Sequence, residues 1–100
     1  MAINLISHRI DELVHQLRLT PFTTHKLIEV LIINNNEEWE QLVSSYTGDR
    51  MRQEQKAVQQ TGRYLGRNSN RLGISQGATR NDSTINGLFG HNPQRTTTWR

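Results

Sequence analysis

Near the N-terminus, Ile3, Ile6, Ile10, Leu13 and Leu17 recur at alternating intervals of three and four residues, and Val14 widens the set. On an α-helix this spacing aligns the side chains along one stripe, so it predicts an amphipathic helix over about residues 5–18. Asn4 or Ser7 is placed to cap it, and Arg18 suits the negative end of its dipole. Thr20-Pro21 then reads as a stop and a restart. Proline disfavours helical geometry in the residue before it yet fits the first position of a new helix, so the second helix is expected to begin between Pro21 and Thr24 with Thr20 as cap. Its body, Leu27, Ile28, Val30, Leu31, Ile32 and Ile33 around Glu29, is apolar on nearly all sides and rich in β-branched residues. A short buried strand is the rival assignment; helix is favoured because the stretch follows a strong start signal and lies between periodic helices.

Asn34-Asn35-Asn36 ends that run, and Asn35 with Glu38 has the spacing of a capping box, placing Glu37, Glu38 and Glu40 at the positive end of the next helix. Trp39, Leu42, Val43 and Tyr46 follow at i, i+3, i+4 and i+7, a third amphipathic helix that Gly48 stops. Asp49 can cap a fourth over about residues 50–61. Arg50, Arg52, Gln53, Glu54, Gln55, Lys56, Gln59 and Gln60 leave it only Met51, Ala57 and Val58 to bury, which describes a helix facing solvent or a partner.

From residue 66 onward the periodicity disappears. Five glycines alternate with asparagines and arginines, and only 7 of the last 35 residues are hydrophobic, against 21 of the first 47. This composition predicts an extended, irregular arm. Ile85-Asn86-Gly87-Leu88 has the Asn-Gly pair of a tight hairpin turn, but its flanks are too short to stand alone. The expected fold class is therefore mainly α: a small helical head of three to four short helices over residues 1–47, a polar basic helix or connector over 48–65, and a long arm over 66–100. The head offers too little apolar surface to offset the ordering of its chain without a partner, either its own copies or a larger host.

Charge follows the same division. Residues 1–47 carry three Lys+Arg against six Asp+Glu, whereas 48–100 carry nine against three, so the net charge of +3 hides a dipolar chain. No stretch reaches the 18 or so apolar residues of a membrane span, and the start has neither the basic region nor the apolar run of a signal peptide; a cytoplasmic location, or one inside a virion or other large assembly, is expected. Without cysteine there is no disulfide framework, thiolate metal site or Cys nucleophile.

Candidate chemistry is sparse. His8, Glu12 and His15 share a helix face, and Glu12-x-x-His15 has the spacing of carboxylate-bridged di-iron bundles, but no second Glu-x-x-His exists to complete such a site. Solvated histidines beside acids are the expectation, with no metal and no cofactor. No nucleophile elbow, phosphate-binding glycine loop or paired-carboxylate cleft can be assembled, so no enzyme and no small-molecule substrate are expected. Two helices near 5–18 and 22–33 have the scale of a helix-turn-helix, yet the second offers mostly Leu, Ile and Val where a recognition helix needs polar and basic groups; core packing is the expectation there.

The basic half is more informative. Arginine outnumbers lysine eight to one from residue 48 onward, and its planar fork holds phosphate, carboxylate or carbonyl oxygens in pairs. Arg63, Tyr64, Arg67, Arg71, Leu72, Ile74, Arg80, Ile85, Leu88, Phe89, Arg95 and Trp99 are the candidate partner-binding residues of the arm. Ile6, Ile10, Leu13, Leu17, Trp39, Leu42, Val43 and Tyr46 are the candidate helical core or oligomer face. In manner the chain resembles small structural proteins that staple large assemblies, among them minor phage virion components and ribosomal proteins. The function expected first is a non-enzymatic assembly subunit with protein partners, as a homo-oligomer or within a large complex. The alternative is a small nucleic-acid-binding protein or transcriptional regulator using its basic half on phosphates.

Overall fold

The computed structural model describes residue 3, residues 6–81, residues 85 and 88, and residues 95–100. Among these, five helices and three strands follow in the order α1 (Ser7–Leu17), β1 (Phe22–Thr23), α2 (Thr24–Asn34), α3 (Asn36–Ser44), α4 (Arg50–Arg67), α5 (Ser69–Leu72), β2 (Gln76–Asn81) and β3 (Arg95–Trp99). The chain is mainly helical, and the sheet is antiparallel in the order β1-β3-β2.

The N-terminal stripe does what its spacing implies: Ile3, Ile6, Ile10, Leu13 and Val14 are buried and Leu17 packs at the edge of the core. Among the described residues no side-chain bond caps α1; Ser7 is its first residue, and Asn4 lies outside the described residues. Residues 27–33 are helical. Helix α2 begins at Thr24, and its cap is the Thr23 hydroxyl, which accepts from the Lys26 amide at 3.1 Å; Thr20 is not the cap because Phe22 and Thr23 first pair with β3 as a two-residue strand. The expected capping box at Asn35 does not form either, because the Glu38 carboxylate is turned to the Arg9 guanidinium, which donates to it at 2.9 and 3.1 Å. Trp39, Leu42 and Val43 are buried, and Tyr46 is half-buried.

Gly48 takes φ +105°, a left-handed geometry that other residues rarely adopt, and the Asp49 carboxylate then accepts from the Arg52 amide at 2.9 Å to start α4. This helix runs six residues beyond the expected end, through Gly62 and Gly66. Its inner face explains why: Glu54, Ala57, Thr61 and Leu65 are buried at intervals of three and four, so tertiary packing outweighs the roughly 1 kcal/mol each glycine costs a helix. Glu54 is fully buried and bonds at 2.9 Å to Arg50, which also clasps Glu40 with two bonds of 2.7 and 2.8 Å. Met51, expected inside, is exposed.

Beyond residue 66 the described residues include α5, β2 and β3. Leu72, Ile74, Ile85, Leu88 and Trp99 join the same core as α1, α2 and α3. Strand β3 lies in the middle of the sheet, pairing Phe22 with Trp99 on one side and Arg80 with Thr96 on the other, and Ser75 and Arg100 exchange two backbone hydrogen bonds beyond it. Three side-chain bonds fix this return. The Trp99 indole donates to the Thr24 hydroxyl at 2.9 Å, the His25 amide donates to Thr96 Oγ1 at 3.1 Å, and Arg18 donates to the Leu72 carbonyl at 3.1 Å. The radius of gyration, 12.4 Å, matches the ~13 Å of a folded 100-residue domain. The tight turn expected at Ile85-Asn86-Gly87-Leu88 falls on Asn86 and Gly87, outside them, as does Phe89.

A candidate nucleic-acid interface

Burial of Glu54, Ala57, Thr61 and Leu65 turns the opposite side of α4 outward, and Arg52, Gln55, Lys56, Gln59 and Arg63 are exposed there. Two depressions flank this face. A groove of about 800 Å³ separates α4 from the sheet, walled by Gln55, Gln59 and Arg63 on the helix and by Gln76, Thr79, Arg95 and Thr97 on the strands, with Trp99 and Thr24 at its base. Gly62 and Gly66 also line it; having no side chains, they leave the helix surface open to the groove. A second depression of about 420 Å³ lies on the other flank, between α4 and the end of α3, walled by Tyr46, Thr47, Arg52, Gln55, Lys56 and Gln59. Gln55 and Gln59 border both.

Arg52, Lys56, Arg63 and Arg95 stand along the two depressions, and among the described residues no aspartate or glutamate lines either. Four of the acids are held elsewhere: Glu54 is inside, Glu40 is paired to Arg50, Glu38 to Arg9, and Asp11 to Arg71, while Asp49 caps α4 beside Arg52. An excess of cations along one surface is the kind of electrostatic feature that attracts polyanions. Tyr46 borders the smaller depression with its hydroxyl buried and no hydrogen-bond partner among the described residues; burial pushes its pKa above the ordinary tyrosine value.

The residues proposed from sequence for partner binding divide into three groups. Arg63, Arg67, Arg80 and Arg95 are exposed, Arg63 and Arg95 on opposite walls of the larger groove and Arg80 on the edge strand β2. Tyr64 and Arg71 serve the fold: the Tyr64 hydroxyl donates to Asp11 at 2.7 Å, while Arg71 donates to Asp11 at 2.9 Å and to the Tyr64 oxygen at 2.9 Å, clamping α1 against α4 and α5. Desolvation, the largest single influence on Asp11, raises its pKa, but the bonds from Arg71 and Tyr64 together bring it below the ordinary carboxylate value. Desolvation, with the bond to Asp11, raises that of Tyr64. Leu72, Ile74, Ile85, Leu88 and Trp99 are buried among the hydrophobic core residues.

Ile6, Ile10, Leu13, Trp39, Leu42 and Val43 likewise fill that core, with Leu17 and Tyr46 packed against it. Gln55 and Gln59, among the polar residues of a helix expected to face solvent or a partner, are exposed opposite the buried Ala57 and Thr61. Among the described residues no group of three or more His, Asp or Glu side chains is placed to hold a metal ion, and no helix is long and apolar enough to cross a membrane. His8 approaches Glu38 at 3.9 Å with most of its side chain in solvent. Comparison with known proteins adds no relative: no family model, curated protein or solved structure matches this chain.

Proposed function

We propose that this chain is a non-enzymatic duplex-DNA-binding module, in which the outer face of α4 enters the major groove and the β2-β3 hairpin bears on the adjacent backbone. The observation that carries the reading is the run of Arg52, Lys56 and Arg63 along one exposed stripe of α4, with Arg95 across the larger depression and no acid lining either depression among the described residues. A helix with its side chains is about 10–12 Å across, close to the ~12 Å width of the major groove. Seated there, α4 sets its stripe of cations toward one phosphate strand and leaves Arg95 to the other. The chain order is compatible with this: α1, β1, α2 and α3 precede the long basic α4, and the short α5 leads to β2 and β3, with β3 between β1 and β2 in the sheet. In this reading the basic helix α4, and not the apolar α2, enters the groove.

Binding of the full chain to a random-sequence duplex, followed by fluorescence anisotropy across a salt series, tests this. Affinity should fall steeply, with a log-log slope of about 0.9 per neutralised phosphate. Arg63→Ala and Arg95→Ala should each reduce the slope by about 1 while weakening all duplexes alike. Absence of binding near ~50 mM salt, or binding indifferent to salt, would refute the reading.

A second reading, a subunit docking in a larger assembly, is favoured by Leu19 and Ile33, which are 86% and 69% exposed. Single exposed apolar side chains are common on monomers, so it carries less weight. Sedimentation of the isolated chain separates the two, a concentration-dependent oligomer without nucleic acid favouring assembly.

A further inference from the structure

The α4 face contains two side chains that the phosphate-binding reading does not use. Gln55 and Gln59 lie one helical turn apart on the ridge between the two depressions, exposed, and neither forms a side-chain hydrogen bond among the described residues. Gln53 is different: its amide donates to the Tyr46 carbonyl at 2.9 Å and locks α4 to the end of α3. The two amides therefore lie on the surface between the depressions, Gln59 on the stripe of Arg52, Lys56 and Arg63, and Gln55 beside it toward the groove that Arg95 walls.

That placement separates two kinds of contact. Cations beside the amides meet phosphates, which orient the protein without reading sequence, while groups on the ridge meet the base edges at the groove floor. A glutamine amide offers one donor and one acceptor side by side, matching the N6 donor and N7 acceptor that adenine alone presents in the major groove. Four residues along a helix advance about 6 Å, a little under two base steps of ~3.4 Å. We infer that Gln55 and Gln59 read adenines at neighbouring base pairs, making this a sequence-selective binder of A·T-containing duplex DNA. The inference rests on the duplex-binding reading above.

The test is selection by the full chain from a duplex library with a randomised centre, sequenced for the wild type and for Gln55→Ala, Gln59→Ala and Gln55→Arg. Both glutamines are exposed, so the variants should retain the wild-type circular dichroism. The wild type should enrich a motif with two adenines within three base pairs. Each alanine variant should lose preference at one of them and bind the selected site about 5- to 150-fold more weakly. Gln55→Arg should shift its position from adenine to guanine, because arginine pairs with guanine O6 and N7. If wild type and variants bind duplex but enrich the same sequences, or enrich none, the inference is overturned while the duplex-binding reading stands. If the wild type retains no duplex at all, both fall.

Discussion

Trp99 decides whether the C-terminal third belongs to the domain. It lies at the end of the central strand β3, 2% exposed, pairs with Phe22 across the sheet, and donates its indole N–H to Thr24 at the start of α2. Replacing it with alanine removes a buried aromatic side chain and leaves a cavity next to Gly66, whose position is in van der Waals range of the indole ring. Such truncations cost about 3–5 kcal/mol when the surroundings relax only partly. A domain of this length has about 5–15 kcal/mol of stability in total. Trp99→Ala should therefore lower Tm by roughly 12–40 °C, or leave a population unfolded at room temperature. Helix content measured by far-ultraviolet circular dichroism during thermal and urea unfolding reads this directly, because in the folded domain the tryptophan supports helices far from it in sequence. Thr24→Val isolates the hydrogen bond: with the ring in place but its N–H buried without an acceptor, the loss should be about 1–3 kcal/mol. A Trp99→Ala protein within about 1 kcal/mol of wild type, with unchanged helix signal, would refute the packing of Trp99 described above.

Two further expectations concern the fold around the candidate interface. At Gly62 an added Cβ meets only the Thr24 methyl at 3.9 Å, an ordinary contact, and the backbone is helical; Gly62→Ala should raise stability by about 0.5–1 kcal/mol in urea unfolding, and a destabilised variant would contradict the helix packing described. Asp11 has its pKa lowered in the folded state, so its contribution is fully present above the unfolded carboxyl value of about 3.9 and is lost as pH falls through the folded value. Asp11→Asn should accordingly weaken the protein at neutral pH, with the difference from wild type shrinking below about pH 4; a gap constant from pH 7 to pH 3 would show that the carboxylate's charge contributes nothing to the clamp.

Concentration of free positive charge on one helix face follows from where the acids are used. Six of the nine acids precede residue 48, and Glu38, Glu40 and Asp11 are consumed by Arg9, Arg50 and Arg71, which ties the helices together. Exposed pairs of this kind contribute modestly to stability, but they take three arginines out of the free positive surface and leave Arg52, Lys56, Arg63 and Arg95 along the depressions. Charge counting from the sequence could place the excess in the second half of the chain, but not on one side of one helix.

Local signals carried the helices. The three-four spacing of Ile6, Ile10 and Leu13, the i, i+3, i+4 set of Trp39, Leu42 and Val43, and the Gly48-Asp49 stop and cap are written within a few neighbouring residues, so they survive without knowledge of the rest of the chain. The C-terminal strands are not local in that sense. Gln76–Asn81 is exposed along nearly its whole length, and Arg95–Trp99 buries only Thr96 and Trp99, so neither shows the alternation that identifies a strand. They form because Phe22 and Thr23, near the other end of the chain, supply the partner edge, and because Thr24 receives the Trp99 indole. The same long-range packing holds α4 helical past its two glycines, opens the groove beside it, and turns Gln55 and Gln59 from unremarkable polar residues into the ridge of a surface. The residue types and their local helical periods were legible in order along the chain; which faces met, and what they left exposed, was settled by contacts between segments that only the folded chain brings together.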